Sequence, residues 1–241
     1  MPYLTRSVAP QNDIKNRLLA ALSAEEYGRV IPHLASVALS QGQIVHHPEL
    51  PLEYVYFPET AVMSFVFITE DGVPLEVGTV GNNGLAGISA SLGVNRTPNQ
   101  TEVLIGGTAW RMSTTRLRAE ILHGGALAEL LPRYAQATIV HSGQMQVCMR
   151  LHSLEERLAG WLLLIYELRP QEALPLTQRS IGQMLGVRRS GVSDAANYLL
   201  TKGLISYSRG HITICDQPAL AEFSCSCSRV IHDEYERVFS V

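Results

Sequence analysis

No cysteine precedes Cys148, and all four in the chain (Cys148, Cys215, Cys225 and Cys227) fall in its last two-fifths. That placement is no disulfide framework and suits a reducing compartment. Long apolar runs are missing too. The longest, Trp161–Tyr166, is far too short to span a bilayer. The start of the chain lacks a basic-then-apolar pattern, so no secretory signal is expected. A cytoplasmic protein with no membrane partner is the expectation. Charge is scarce at 17%, but a hydrophobic content of 46% excludes disorder. Enzyme motifs are also lacking: there is no nucleophile elbow, P-loop or paired acid–base constellation. The nearest approach to a metal motif is His46-His47-Pro48-Glu49. Adjacent strand residues point to opposite faces, and Pro48 ends a strand, so no enzymatic activity is expected.

What the chain does have is unevenly distributed charge. The net charge is −3, divided as −4 over residues 1–168, +4 over 169–215 and −3 over 216–241. The basic segment contains two short helical patterns and a hairpin pattern. Thr177 is placed to cap a helix carrying Ile181, Met184 and Leu185 at helical spacing, and Gly186 ends it. From Arg188 a second helix begins. Val192, Ala195, Ala196 and Leu199 form its apolar stripe, with Arg189, Ser190, Ser193, Asp194 and Asn197 on the other face. Two helices joined at a glycine, the second with a polar outer face, make a helix-turn-helix that presents its second helix to a DNA major groove. Residues 204–207 and 211–214 alternate around Arg209-Gly210, the pattern of a wing.

Upstream, residues 12–34 read as helical, with a capping box at Ser23–Glu26. From about Val37 to Met112, short β-rich pieces alternate with turns rich in Gly, Pro and Asn, which predicts an antiparallel roll or sandwich. A helical region follows over 114–168, with a second capping box at Ser153–Glu156. The expected fold class is therefore α+β: an antiparallel β-roll at 15–116, a helix at 117–152, a winged helix-turn-helix at 153–218 and a helical tail at 219–241.

This order resembles the Crp/Fnr family of transcription regulators over nearly the whole chain. The most specific match is Thr177-x-x-x-Ile181-Gly182-Gln183-x-x-Gly186, with the wing at the family's distance. The resemblance implies a homodimer clasped by the long helix and a jelly-roll sensor similar to a cyclic-nucleotide-binding domain. It further implies palindromic double-stranded DNA as target and RNA polymerase as a partner if the protein activates. Residues matching Thr177, Gln178 and Arg179 touch the DNA backbone in the family, and those matching Arg189, Ser190 and Asp194 face base edges. Ser193 and Asn197 share that face. Arg188, Arg209 and His211 are expected to contact phosphates. The stripe Leu127, Leu131, Tyr134, Thr138, His141 and Met145 is the expected dimer seam. Asp194 stands where familiar members carry Arg. An Asp there is suited to accept from cytosine N4 or to orient Arg189, not to pair with guanine, so their DNA sequence does not carry over.

Gly84, Leu85, Gly87, Arg96 and Thr97 occupy the place of the family's phosphate-binding cassette. The carboxylate that holds a ribose hydroxyl there is absent, so cAMP is not the expected effector. A cofactor is unknown and none is expected. The iron–sulfur centre of the oxygen-sensing branch needs N-terminal cysteines and is excluded. Haem would use Pro2 with His46, His47, His123, His141 or His152. Cys225 and Cys227, with His232 nearby, supply only part of a metal set, and packing on the DNA-binding domain is their expected role. The alternative reading of the chain is a small-ligand-binding roll, for a cyclic nucleotide or haem, whose main role is not DNA regulation.

Overall fold

The computed structural model describes residues 10–170, 173–208 and 210–240. Helices α1 (Arg17–Ala20) and α2 (Ala24–Val30) lead into a roll built from β1 (Ala35–Leu39), β2 (Ile44–His46), β3 (Tyr54–Pro58), β4 (Val62–Ile68), β5 (Pro74–Val80), β6 (Gln100–Ile105) and β7 (Gly107–Ser113). These strands form two antiparallel sheets, ordered β1-β7-β3 and β2-β6-β4-β5. Residues from both sheets, including Val55, Phe57, Met63, Val103 and Met112, are fully buried between them, as the packing of two half-buried faces requires. The β-rich stretch read from about Val37 to Met112 holds these strands, apart from the first residues of β1 and the last of β7. In β1 only Leu39 is buried, so its alternation is too weak to read.

The helix expected over 117–152 is two helices, α3 (Thr114–His123) and α4 (Ala126–Leu151). Gly124 and Gly125 separate them with φ of +85° and +101°, a backbone that no right-handed helix can continue through. A carboxylate from far upstream caps the new helix. Glu26 closes the capping box of α2 with Ser23 and also accepts from the Ala126 amide at 2.6 Å.

α4 is sandwiched inside its own chain. One face lies on β5 and the roll. The other receives α9 (Cys227–Phe239), which follows α8 (Gln217–Phe223). The tail is thus helical as expected. Tyr134 donates to the Leu85 carbonyl at 3.3 Å, Ser142 to the Val77 carbonyl at 3.1 Å, and His141 Nδ1 lies 3.1 Å from the Tyr235 hydroxyl. This arrangement corrects the expected seam. Leu127, Leu131, Tyr134 and His141 are buried within the protomer itself, and Thr138 and Met145 are only partly exposed. Another face of α4 remains open, where Ile139 is 65%, Val147 43% and Leu151 73% exposed.

A second core holds the C-terminal domain together. It joins α5 (Leu154–Leu168), α6 (Gln178–Leu185), α7 (Arg189–Thr201), the hairpin β8 (Ile205–Ser208) and β9 (His211–Ile214), and α8. Val62, Leu104 and Ile105 of the roll belong to the same core, so the two domains share apolar packing. One buried polar link crosses the boundary. Trp161 Nε1 of α5 donates to Glu76 of β5 at 2.8 Å, and Ser64 donates to the same carboxyl at 2.6 Å.

Candidate nucleic-acid interface

The helix-turn-helix is assembled by local devices. Thr177 caps α6 by accepting from the Ser180 amide at 3.1 Å, and Ser180 Oγ accepts from the Thr177 amide at 3.0 Å. Gly186 ends α6 with φ +68°, where a β-carbon would be strained. Gly182 lets the turn approach, since a β-carbon there would press on the Val187 carbonyl at 3.2 Å. Val192, Ala195 and Leu199 are buried under α7, as their spacing predicted. The opposite face is open: Arg189, Ser190, Asp194 and Asn197 are exposed and Ser193 half-exposed.

At the mouth of the turn, Arg189 Nε donates to Gln178 Oε1 at 2.6 Å. That bond ties the first residues of α6 and α7 together and holds the guanidinium outward. Thr177, Arg179, Arg188 and His211 are also exposed. Among the described residues no carboxylate pairs with Arg179, Arg188 or Arg189. Arg188 is the N-cap of α7 but makes no side-chain capping bond, which leaves the amides of the first turn for an anion. These groups open onto a groove of about 950 Å³, walled on its far side by Val73, Pro74 and Leu75 of the roll. β8 and β9 pair as the expected wing, with Tyr207 opposite Ile212. Arg209 at its tip lies outside the described residues.

The candidate effector residues do not converge. Gly84 is packed against the ring of Tyr134, which occupies the space any side chain there would need. Leu85 is completely buried. Gly87 and Thr97 line a cavity of about 200 Å³ beside His46, Phe65, Thr101 and Thr138, with no charged group in its wall. Arg96 is exposed and is not among the residues that line that cavity. Two of the histidines considered for haem, His46 and His141, are committed within the fold, whereas His47 and His123 are exposed. His46 has its ring nitrogens on Thr101, at 3.1 Å, and the Tyr54 carbonyl, at 2.8 Å. Burial holds both His46 and His141 below the ordinary histidine value, His141 at about 4. Pro2 lies outside the described residues.

His232 does not join Cys225 and Cys227. It meets Glu167 at 2.9 Å. The two cysteines turn instead toward Cys148 and His152 at the end of α4. The spacing of Cys148 and His152, four residues apart on a helix, was the available signal.

Residues 156–223 match the family of Crp-like helix-turn-helix domains. No curated protein matches the chain. Among solved structures, FixK2 of Bradyrhizobium japonicum is 18% identical, with a TM-score of 0.69 over 80% of this chain and 98% of that one. Two regulators from Thermus thermophilus are similar as well. One, of the CRP family, is 17% identical with a TM-score of 0.64, over 78% of this chain and 96% of that one. The other, of the CRP/FNR family, is 19% identical with a TM-score of 0.62, over 79% and 98%. At these identities the likeness is one of fold, and the fold is that of the Crp/Fnr transcription regulators.

Proposed function

We propose that this chain, in which a Crp-like helix-turn-helix domain is joined to a Crp/Fnr-type roll, is a cytoplasmic transcription regulator that binds palindromic promoter DNA as a homodimer. The observation that carries this reading is the exposed cluster of Arg179, Arg188 and Arg189 on the open side of the helix-turn-helix, with no carboxylate partner among the described residues. α7 lies in the major groove. Arg189 reads a guanine through O6 and N7, Asp194 accepts from cytosine N4 or orients Arg189, and Ser190, Ser193 and Asn197 complete the base-facing surface. Thr177, Gln178, Arg179, Arg188 and the wing hold phosphates, which position the helix without reading sequence.

The dimer forms through the open face of α4. Ile139, Gly143, Val147 and Leu151 recur every four residues along it, and three of them expose large apolar surface. Burying such a stripe against a second copy is the ordinary way to pair long helices. Two copies then present their α7 helices about 34 Å apart, one turn of the duplex. The uncharged cavity in the roll does not suit a cyclic phosphate, so the protein binds DNA without cAMP. RNA polymerase is the further partner if it activates. Selection from random duplex DNA tests the reading. An inverted repeat with half-sites about one helical turn apart is the expected product. Sequence-independent or single half-site products would overturn it.

A further inference from the structure

The end of α4 and the start of α9 bring together four metal-ligating side chains that the DNA-binding reading does not use. Cys148 lies in the last turn of α4 and His152 caps it, so their side chains share one face. Cys227 opens α9, and Cys225 precedes it by two residues in the linking turn. Their ligand atoms all lie within 4.8 Å of one another. Cys148 Sγ is 3.4 Å from Cys225 Sγ, and Cys227 Sγ is 3.5 Å from His152 Nδ1.

We propose that Cys148, His152, Cys225 and Cys227 bind one zinc ion that fastens α9 to the long helix. The distances fit a single tetrahedral ion. Zinc–sulfur bonds of about 2.3 Å and a zinc–nitrogen bond of about 2.0–2.1 Å require ligand atoms roughly 3.5–3.8 Å apart. Closing the observed cluster to that shape needs movements below about 1 Å. Three thiolates and an imidazole are the donor set of structural zinc, and the absence of carboxylates from the cluster disfavours calcium and magnesium. A multi-iron cluster takes its ligands on separate irons, whereas these four surround one point.

The surroundings fit as well. Cys225 and Cys227 are buried, and a cavity of about 40 Å³ lies beside them, walled by Met145, Trp161, Leu164 and Ile231. That is room for one small ion beside mainly apolar walls. Arg157 lies in the same wall, close enough to Cys148 and Cys225 for their charges to act on it. Its positive charge offsets the net −1 of a zinc ion with three thiolates. Binding exchanges the three thiol protons for the ion, so affinity rises with pH. All four ligands lie outside the Crp-like domain, which spans residues 156–223, and the site stands whether or not the DNA-binding reading does.

The test is metal analysis of the full chain purified without chelators, followed by cobalt substitution. One zinc per chain is expected, released in step with thiol titration. Cobalt is expected to give thiolate charge-transfer absorption and intense tetrahedral d–d bands. Cys227→Ser is expected to weaken zinc at least tenfold, while Cys215→Ser, at an exposed position, binds as the parent does. Because Cys227→Ser can fail to fold, the parent is also stripped with chelator and titrated with zinc, and its melting temperature is expected to rise with zinc concentration. A parent that binds neither zinc nor cobalt at micromolar concentration, weak octahedral cobalt bands, a Cys148–Cys225 disulfide in the purified chain, or iron with inorganic sulfide would each overturn the proposal.

Discussion

Two hollows of this protein differ in the one property that selects a polyanion. The groove at the helix-turn-helix is open, about 950 Å³, and walled by Arg179, Arg188 and Arg189. The cavity in the roll is about 200 Å³ and has neutral walls throughout. Only the first is equipped to neutralise phosphate. The difference teaches that a fold carries the place for a ligand, while the side chains at that place decide whether the ligand comes.

The largest effect is expected where the groove's pairing is removed. Ile139→Asp puts an unpaired charge into the proposed seam, which is costly to bury. Sedimentation is expected to show a monomer. Affinity for a full palindrome should fall by about 4 kcal/mol or more, toward the non-specific level. A dimer that persists with unchanged affinity would move the seam off this face. Leu131→Asp, on the buried face, is expected instead to unfold the protomer, visible as lost cooperative melting.

Next in size is the buried link between the two halves. Burial pushes the Glu76 carboxyl up to about 7, against the bonds from Ser64 and Trp161 that favour its charge, and Glu102 adds to the rise. Such a group is protonated in the fold while ionised in the unfolded chain. Stability is therefore lost as pH rises from about 4.5 to about 7, by on the order of 3 kcal/mol. His141 acts in the opposite sense. It is held neutral by burial, so its contribution is complete above about 6.5 and is lost as pH falls toward 4. The two windows nearly coincide, so the opposite slopes largely cancel in the parent, and Glu76→Gln should uncover a loss of stability as pH falls from about 6.5 to about 4. Denaturant melts across pH 4–8 would show this, and an unchanged profile would mean that Glu76 is ionised in the fold.

A smaller effect is expected at a single arginine. Arg189→Ala should cost roughly 1–3 kcal/mol on the selected site and relax preference at one position per half-site. Arg179→Ala should weaken all sequences alike and reduce the salt slope by about one. Exchange of these two phenotypes would reverse the assigned roles. The smallest effect belongs to the cavity. Arg96→Ala and Thr97→Ala are expected to change DNA affinity by less than about 0.5 kcal/mol. Calorimetry with cAMP should give no heat at physiological concentration, and sub-micromolar binding that strengthens the DNA complex would erase the contrast between the two hollows.

The helix-turn-helix was legible in the sequence because its determinants are local. A capping Thr, a turn Gly and an apolar stripe one helix long all lie within about 40 residues of each other, and the shape they specify depends little on distant contacts. The strands were legible for the same reason, except β1, whose residues are mostly exposed. The side of α4 that the chain itself covers was not legible, because α4 is apolar on more than one side. Leu127, Leu131 and Tyr134 are covered by the chain's own roll and tail, and Ile139, Val147 and Leu151 are not. Periodicity reports that a face is apolar and is silent on which chain covers it. The break at Gly124–Gly125 was present as a glycine pair but was overridden by the helical texture on both sides. The Cys148–His152–Cys225–Cys227 cluster joins residues more than 70 positions apart, a distance at which only the fold brings them together.

The central claim is that this groove reads DNA sequence, and the direct measurement is the ratio of affinities for the selected palindrome and a scrambled duplex, followed across salt concentration. The account predicts a ratio of about a thousandfold or more near physiological salt, with steep salt dependence on both duplexes from the arginine contacts. Equal affinity for the two duplexes at every salt concentration would contradict it.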